Sequence, residues 1–211
     1  MTYQKVKLIE RTPLGLHGKV ETFLIYANQK PATVLLIGDR KNYDLETNVY
    51  KLSEERVRKA KNLLRKLQLP HAITEPMVFE VMPKQEHCPL GLYIERVSMY
   101  VGQTQELCDR LIQAVQDRDS YALGRLFGFP ETAIQAYHGE RSPFMGELND
   151  RTVLGAFFTQ FVFSQEYFDE EFQNCSVRWH DTVKRLSPKI YKQLKDEYEN
   201  NSIPKRETGW R

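Results

Sequence analysis

The sequence is poor in cysteine, in long apolar runs and in net charge. Its three cysteines, Cys88, Cys108 and Cys175, are odd in number and none shares C-x-x-C spacing, which leaves neither a disulfide framework nor a zinc ribbon with any support. The most apolar stretch, residues 153–163, is interrupted by Thr159 and Gln160 and is roughly half the ~20 residues a membrane helix needs. Residues 1–10 mix Lys5, Lys7 and Glu10 with single apolar residues, so no secretory signal is read there. Thirty Lys and Arg against 28 Asp and Glu leave a formal charge of +2. The expectation is a soluble, cytoplasmic protein with no membrane partner.

Reaction signatures are also missing. There is no Gly-Lys-Ser/Thr to complete a Walker loop and no G-x-S-x-G elbow. The five histidines, His17, His71, His87, His138 and His180, include no pair at i, i+4. No metal site and no cofactor are therefore expected.

What the chain does have is bulk. Eleven Phe, eleven Tyr and two Trp in 211 residues can fill one large domain or two small ones. Charge divides unevenly: residues 1–102 hold 16 Lys and Arg against 11 Asp and Glu, residues 103–211 hold 14 against 17. The pattern changes at the same place. Before Gly102, short alternating runs predict strands at residues 5–10, 20–26, 32–37, 77–82 and 92–101. Asn28–Pro31 reads as the turn of a hairpin joining the second to the third, and Lys84–Pro89 as the turn of another. One helix is predicted between them: Ser53 caps it, Glu54 and Glu55 sit in its first turn, Val57, Ala60, Leu64 and Leu67 form its apolar stripe, and Pro70 follows.

Beyond Gly102 the period is helical. Helices are predicted around Leu107–Val115, at Tyr121–Phe127 before Gly128 and Pro130, at 130–137, from Asp150 or Arg151 through Val162, at Val177–Leu186, and from Ser187-Pro188 to Tyr198. Strands first and helices later predict an α+β fold: a mainly antiparallel sheet of about five strands with one helix, then a helical half packed on it. The expected divisions are 1–102, 103–199 and a flexible tail at 200–211, with a single integrated domain as the alternative.

Three groups of residues could carry chemistry. Seven cations between Lys51 and Lys66, among them Arg56, Arg58, Lys59 and Arg65, face two acids, and such a helix can meet phosphates. A solvated charged face over an apolar stripe explains them as well, since Lys and Arg are good helix formers. The corner from Leu123 to Arg141 gathers Arg125, Glu131, Tyr137, His138 and Arg141 around Gly124, Gly128 and Pro130, either as a ligand site near residues 124–141 or as a tight structural turn. Glu166, Asp169 and Glu170 read as a solvated acidic face, Cys108 as a buried thiol on an apolar stripe, and Cys88 as the most reactive thiol. Glu21 and Asp39 could meet across the predicted hairpin. The preferred function is a binding or regulatory module for a protein partner or small molecule. An enzyme with a pocket near residues 124–141 is the alternative, and nucleic-acid binding through residues 51–66 is the third.

Overall fold

Strand β6 (Leu92–Gly102) receives strands on both of its edges. It belongs to a computed structural model that describes residues 2–84, 90–146, 158 and 161–200, with Glu199 and Asn200 described by backbone alone. The chain divides into two compact units, Met1–Gly128 and Phe129–Arg211, and the fold is α+β.

In the first unit, β1 (Ala32–Gly38) pairs antiparallel with β6 over seven residues, from Ala32 opposite Gly102 to Gly38 opposite Arg96. Beyond it, β3 (Val49–Lys51) runs parallel to β6 and carries β2 (Asn42–Asp44) as a hairpin. β4 (His71–Ile73) and β5 (Met77–Met82) complete the six-stranded sheet, both antiparallel to β6. The expected β5–β6 pairing is present, while residues 85–89 of its connection and Cys88 lie outside the described residues.

Three helices, not one, accompany the strands of residues 1–102. Residues 5–10 belong to α1 (Tyr3–Arg11) and residues 20–26 to α2 (Leu16–Tyr26). The first hairpin therefore does not exist, although Asn28, at φ 56°, does turn the chain. Both corrections have a physical reason. In α1 the buried Val6 and Ile9 are three apart, a spacing that six residues of mixed polarity do not separate from alternation. In α2 every residue from Val20 to Ile25 is buried, and a helix enclosed all round shows no polar stripe. Its Val, Thr, Phe, Ile and Tyr favour strands, and tertiary burial overrides that preference. The predicted basic helix stands as α3 (Glu54–Leu67), ending at Gln68 in the left-handed conformation. β2, β3 and β4 account for the rest of the difference, three residues each.

Directly opposed residues in a sheet share a face, so the pairing sorts the side chains. One face carries Thr33, Leu35 and Ile37 of β1 with Val97, Met99 and Val101 of β6, all buried. Glu21 on α2 reaches this face, accepting a 2.7 Å hydrogen bond from Thr33 Oγ1. The other face carries Ala32, Val34 and Tyr100, which pack with Leu107, Leu111, Ala114 and Leu126. Those last belong to α4 (Gln105–Asp117), capped by Thr104, and α5 (Ser120–Leu126), capped by Asp119. Gly128 follows α5 at φ +77°, the left-handed stop its sequence position predicts. Cys108 is buried, as expected; burial pushes its thiol up, and Sγ donates to Tyr100 O at 3.4 Å.

The second unit begins with α6 (Glu131–Tyr137). Its later part is a continuous helical run: α7 (Phe168–Glu171), a π-helical stretch (Phe172–Val177) and α8 (Arg178–Leu186). Ser187 then caps α9 (Pro188–Asn200), its Oγ accepting from Ile190 N at 3.2 Å. Trp179, Phe129, Phe161 and Phe163 form an aromatic core. The helix predicted from Asp150 or Arg151 falls almost wholly outside the described residues, as does the tail at 201–211. No helix among the described residues is long and apolar enough to cross a membrane.

Glu21 and Asp39 do not meet. Asp39 takes Arg56 at 3.5 Å, and Glu21 takes Lys30, whose Nζ lies 2.8 and 3.0 Å from its two oxygens. Both members of that pair are 2% exposed. Burial alone would raise the Glu21 carboxyl, but the Lys30 ammonium and the Thr33 hydroxyl outweigh it and hold the group below its ordinary value. A depressed carboxyl stabilises the fold above the unfolded value of 4.5 and loses that contribution as pH falls through the folded one. Glu21→Gln is expected to cost about 3–5 kcal/mol at pH 7 by stranding the buried ammonium, and to flatten the acid limb below pH 4.5. Replacing Glu21 by Leu and Lys30 by Met together recovers most of the loss, as urea denaturation at pH 7 and pH 3 would measure.

Candidate functional site

The helices α4 and α5 pack against only one end of their sheet face. Along β1 the burial on that face falls from Ala32, fully enclosed, through Val34 to Leu36, 56% exposed. Past Leu36 the pairing lays out the rest of that face, on which Tyr43, Met77 and Met82 are exposed, Tyr50 and Phe79 are half-buried and Ile94 is buried between them. Tyr43 on β2 opposes Tyr50 on β3, Tyr50 opposes Ile94 on β6, and Ile94 opposes Phe79 on β5. One cross-strand row thus holds three aromatic rings and an isoleucine. The next row is Gly38, Arg96 and Met77, and Met82 opposite Leu92 closes the far side.

Local sequence fixes this surface. The Tyr43 and Tyr50 rings lie 4.9 Å apart, and the Tyr43 hydroxyl donates to Asn48 Oδ1. Asn48, at φ 56°, closes the β2–β3 turn. Asp44 holds that turn by accepting from Glu46 N at 3.0 Å and Thr47 Oγ1 at 2.6 Å. The Thr47 hydroxyl, and then the Glu46 N–H, keep the Asp44 carboxyl below its ordinary value. A Cβ on Gly38 would come within 3.1 Å of both Arg96 Cγ and Ile94 Cδ1, so glycine leaves these two side chains their space.

Arg96 lies 5.6 Å over the Phe79 ring and has no carboxylate partner among the described residues. Arg40 and Lys41, exposed in the β1–β2 turn, add positive charge beside Tyr43. The surface is apolar and aromatic with a cation at its centre, suited to an apolar ligand that carries negative charge. Its residues are scattered from Leu36 to Arg96, and only the pairing register unites them; the sequence alone offers no signal for it.

The basic helix distributes its cations. Arg56 faces Asp39 and Lys59 pairs with Glu55 at 2.7 Å, while Arg58 and Arg65 are exposed. Lys59 and Lys66 also line a cleft of about 280 Å³ against α1, together with Leu8, Arg11, Pro13 and Asn62.

The residues of the 124–141 corner fall in both units. Arg125 belongs to the first and lies 6.0 Å over the Tyr121 ring. In the second, Tyr137 and His138 meet edge to face at 5.2 Å. Glu131 opens α6 in its first turn. Arg141 donates to Gln135 Oε1 at 2.6 Å and Glu166 Oε2 at 2.7 Å, with its guanidinium 5.2 Å over Tyr167. These bonds make Arg141 a clasp between α6 and the segment before α7.

Glu166, Asp169 and Glu170 are exposed as expected, but their neighbour Glu171 is 2% exposed. Its carboxylate accepts from Thr132 Oγ1 at 2.5 Å, Ser164 Oγ at 2.7 Å and Ser164 N at 2.7 Å. Among the described residues neutral donors alone satisfy it, and it ties α6 to α7. His180 stands between Asp181 (2.8 Å) and the Tyr191 hydroxyl (3.1 Å), its ring edge against Phe158. No group of three or more metal-ligating side chains occurs among the described residues.

No protein-family model, curated protein or solved structure shows significant similarity to the chain.

If the open face is built for contact rather than for folding, its side chains should add little to stability. Met77→Ser and Leu36→Ser are each expected to change unfolding free energy by no more than about 0.5 kcal/mol. Leu35→Ala, on the enclosed face, is expected to cost about 2–5 kcal/mol. Denaturant midpoints of the three variants check the contrast.

Proposed function

We propose that the chain is a binding module whose open sheet face takes a partner protein. The observation that carries this reading is the row Tyr43–Tyr50–Ile94–Phe79, its rings packed around the buried Ile94 and flanked by the exposed Leu36, Met77 and Met82, with Arg96, which has no carboxylate partner among the described residues, beside it. Contiguous apolar surface rimmed by polar groups marks protein interaction sites. Tyr, Phe, Met and Arg are the residue types enriched where such contacts are tight. The charge pattern narrows the partner's chemistry. Arg96, Arg40 and Lys41 fit an apolar segment bearing an acidic residue, whose carboxylate meets the Arg96 guanidinium as apolar side chains cover the rings.

Flexible thioethers suit this use, since Met77 and Met82 can repack around a partner's side chains. The row itself is held by the ladder hydrogen bonds of four strands, so little ordering accompanies binding.

Photo-crosslinkers placed at Leu36 and at Met77, in the full chain inside its own cells, test the proposal. The expected result is one protein captured at both positions, absent when Arg96→Glu is combined with either. Rebinding of that purified protein should then weaken about tenfold or more with Arg96→Glu, the scale of a lost charge-assisted hydrogen bond. Adducts unchanged by Arg96→Glu would overturn the reading, and so would adducts of the chain with a second copy of itself.

A further inference from the structure

The cleft between α1 and α3 is a different surface and has a different chemistry. Two helices supply its cations: Arg11 ends α1, and Lys59 and Lys66 stand seven residues apart on α3. That spacing is close to two turns, so both lysines rise from one side of the helix with Asn62 between them. Leu8, Pro13 and the buried Leu63 make an apolar floor and wall. No carboxylate among the described residues lines the cleft. Arg11 and Lys66 have no acidic partner among the described residues, and Lys59 reaches only the exposed Glu55.

We propose that this cleft binds a small phosphorylated molecule. Three like charges around a cavity of about 280 Å³ repel one another, and an anion between them removes that repulsion while gaining charge-assisted hydrogen bonds. A phosphate group carries about −1.5 to −2 charge at neutral pH and three acceptor oxygens, enough to engage Arg11, Lys59 and Lys66 together. The Asn62 amide supplies a neutral donor, and the Leu8–Pro13–Leu63 surface receives an apolar portion of the ligand. The volume of about 280 Å³ lies just below that of most ligand cavities, about 300–1,000 Å³, and so fits only a small ligand.

The placement of the cations favours a small molecule over a nucleic-acid strand. Arg58 and Arg65, the exposed cations of the same helix, do not line the cleft, whereas a polynucleotide tracking α3 would use them equally.

The test is titration of the full chain with inorganic pyrophosphate, followed by the Asn62 side-chain amide resonances and by calorimetry. Saturable one-site binding is expected, weakened about tenfold or more by Lys66→Glu and by Arg11→Glu. Arg58→Glu should change it by less than about twofold, because an exposed charge outside the cleft is screened. Lys66→Gln gives the same direction with a smaller loss and guards against misfolding of the charge-reversed variants, each checked by its melting temperature. Absence of saturation overturns the proposal. So does equal weakening by Arg58→Glu and Lys66→Glu, or a single-stranded RNA hexamer that binds more tightly than pyrophosphate and depends on both.

Discussion

Everything in the first unit hangs on the two edges of β6. An interior strand must pair its backbone donors and acceptors on both sides, since an orphaned buried group costs as much as a lost hydrogen bond. Here one edge takes β1 and then β3, and the other takes β4 and then β5. Four strands of modest length thus depend on one of eleven residues. The order of side chains across the sheet, and with it the open face, is set by this register.

The same strand explains why one face is divided. Tyr100 and the Ala32–Val34 end of β1 are covered by α4 and α5, two short helices that cannot extend over the whole sheet. Leu36, Arg96 and Phe79 lie beyond them. The opposite face is closed with a cost of its own, the burial of Glu21 and Lys30. Desolvating two charges is expensive, and the pair persists because Thr33 satisfies a further lone pair of the carboxylate. In the second unit Glu171 meets a comparable demand without a cation, through two hydroxyls and a backbone N–H. Two buried carboxylates, met by different chemistry, each join elements distant in sequence.

How much of this is legible in the sequence follows from where the signals lie. α3 is readable because its apolar residues repeat on one side and its charges on the other. Gly128 and Ser187-Pro188 are readable because their conformations are local. α2 is not, since enclosure on all sides erases the stripe that would announce it. Lys30 looks like a solvated turn residue, and only the fold places it beneath α2 against Glu21. Glu166, Asp169 and Glu170 read as an exposed face and are one, but nothing in the sequence marks their neighbour Glu171, which turns inward to Thr132 and Ser164. Both proposed sites share this limit. The aromatic row joins residues from Tyr43 to Ile94, and the cleft joins Arg11 to Lys66, so neither has a local pattern to find. The basic helix is visible beforehand as a run of cations, and those cations divide between ion pairs, solvent and the cleft.

If β6 organises the proposed binding face, that face exists before any partner arrives. Amide hydrogen exchange of the partner-free chain, resolved by residue, tests it most directly. β6 and β1 are expected to exchange only through global unfolding. β5, β2 and β3 are expected to keep clear protection at the amides bonded within the sheet, as cooperative parts of one structure. Exchange of β5, β2 and β3 at the rate of an unstructured peptide would contradict it: the row of Tyr43, Tyr50, Ile94 and Phe79 would then not be a preformed surface at all.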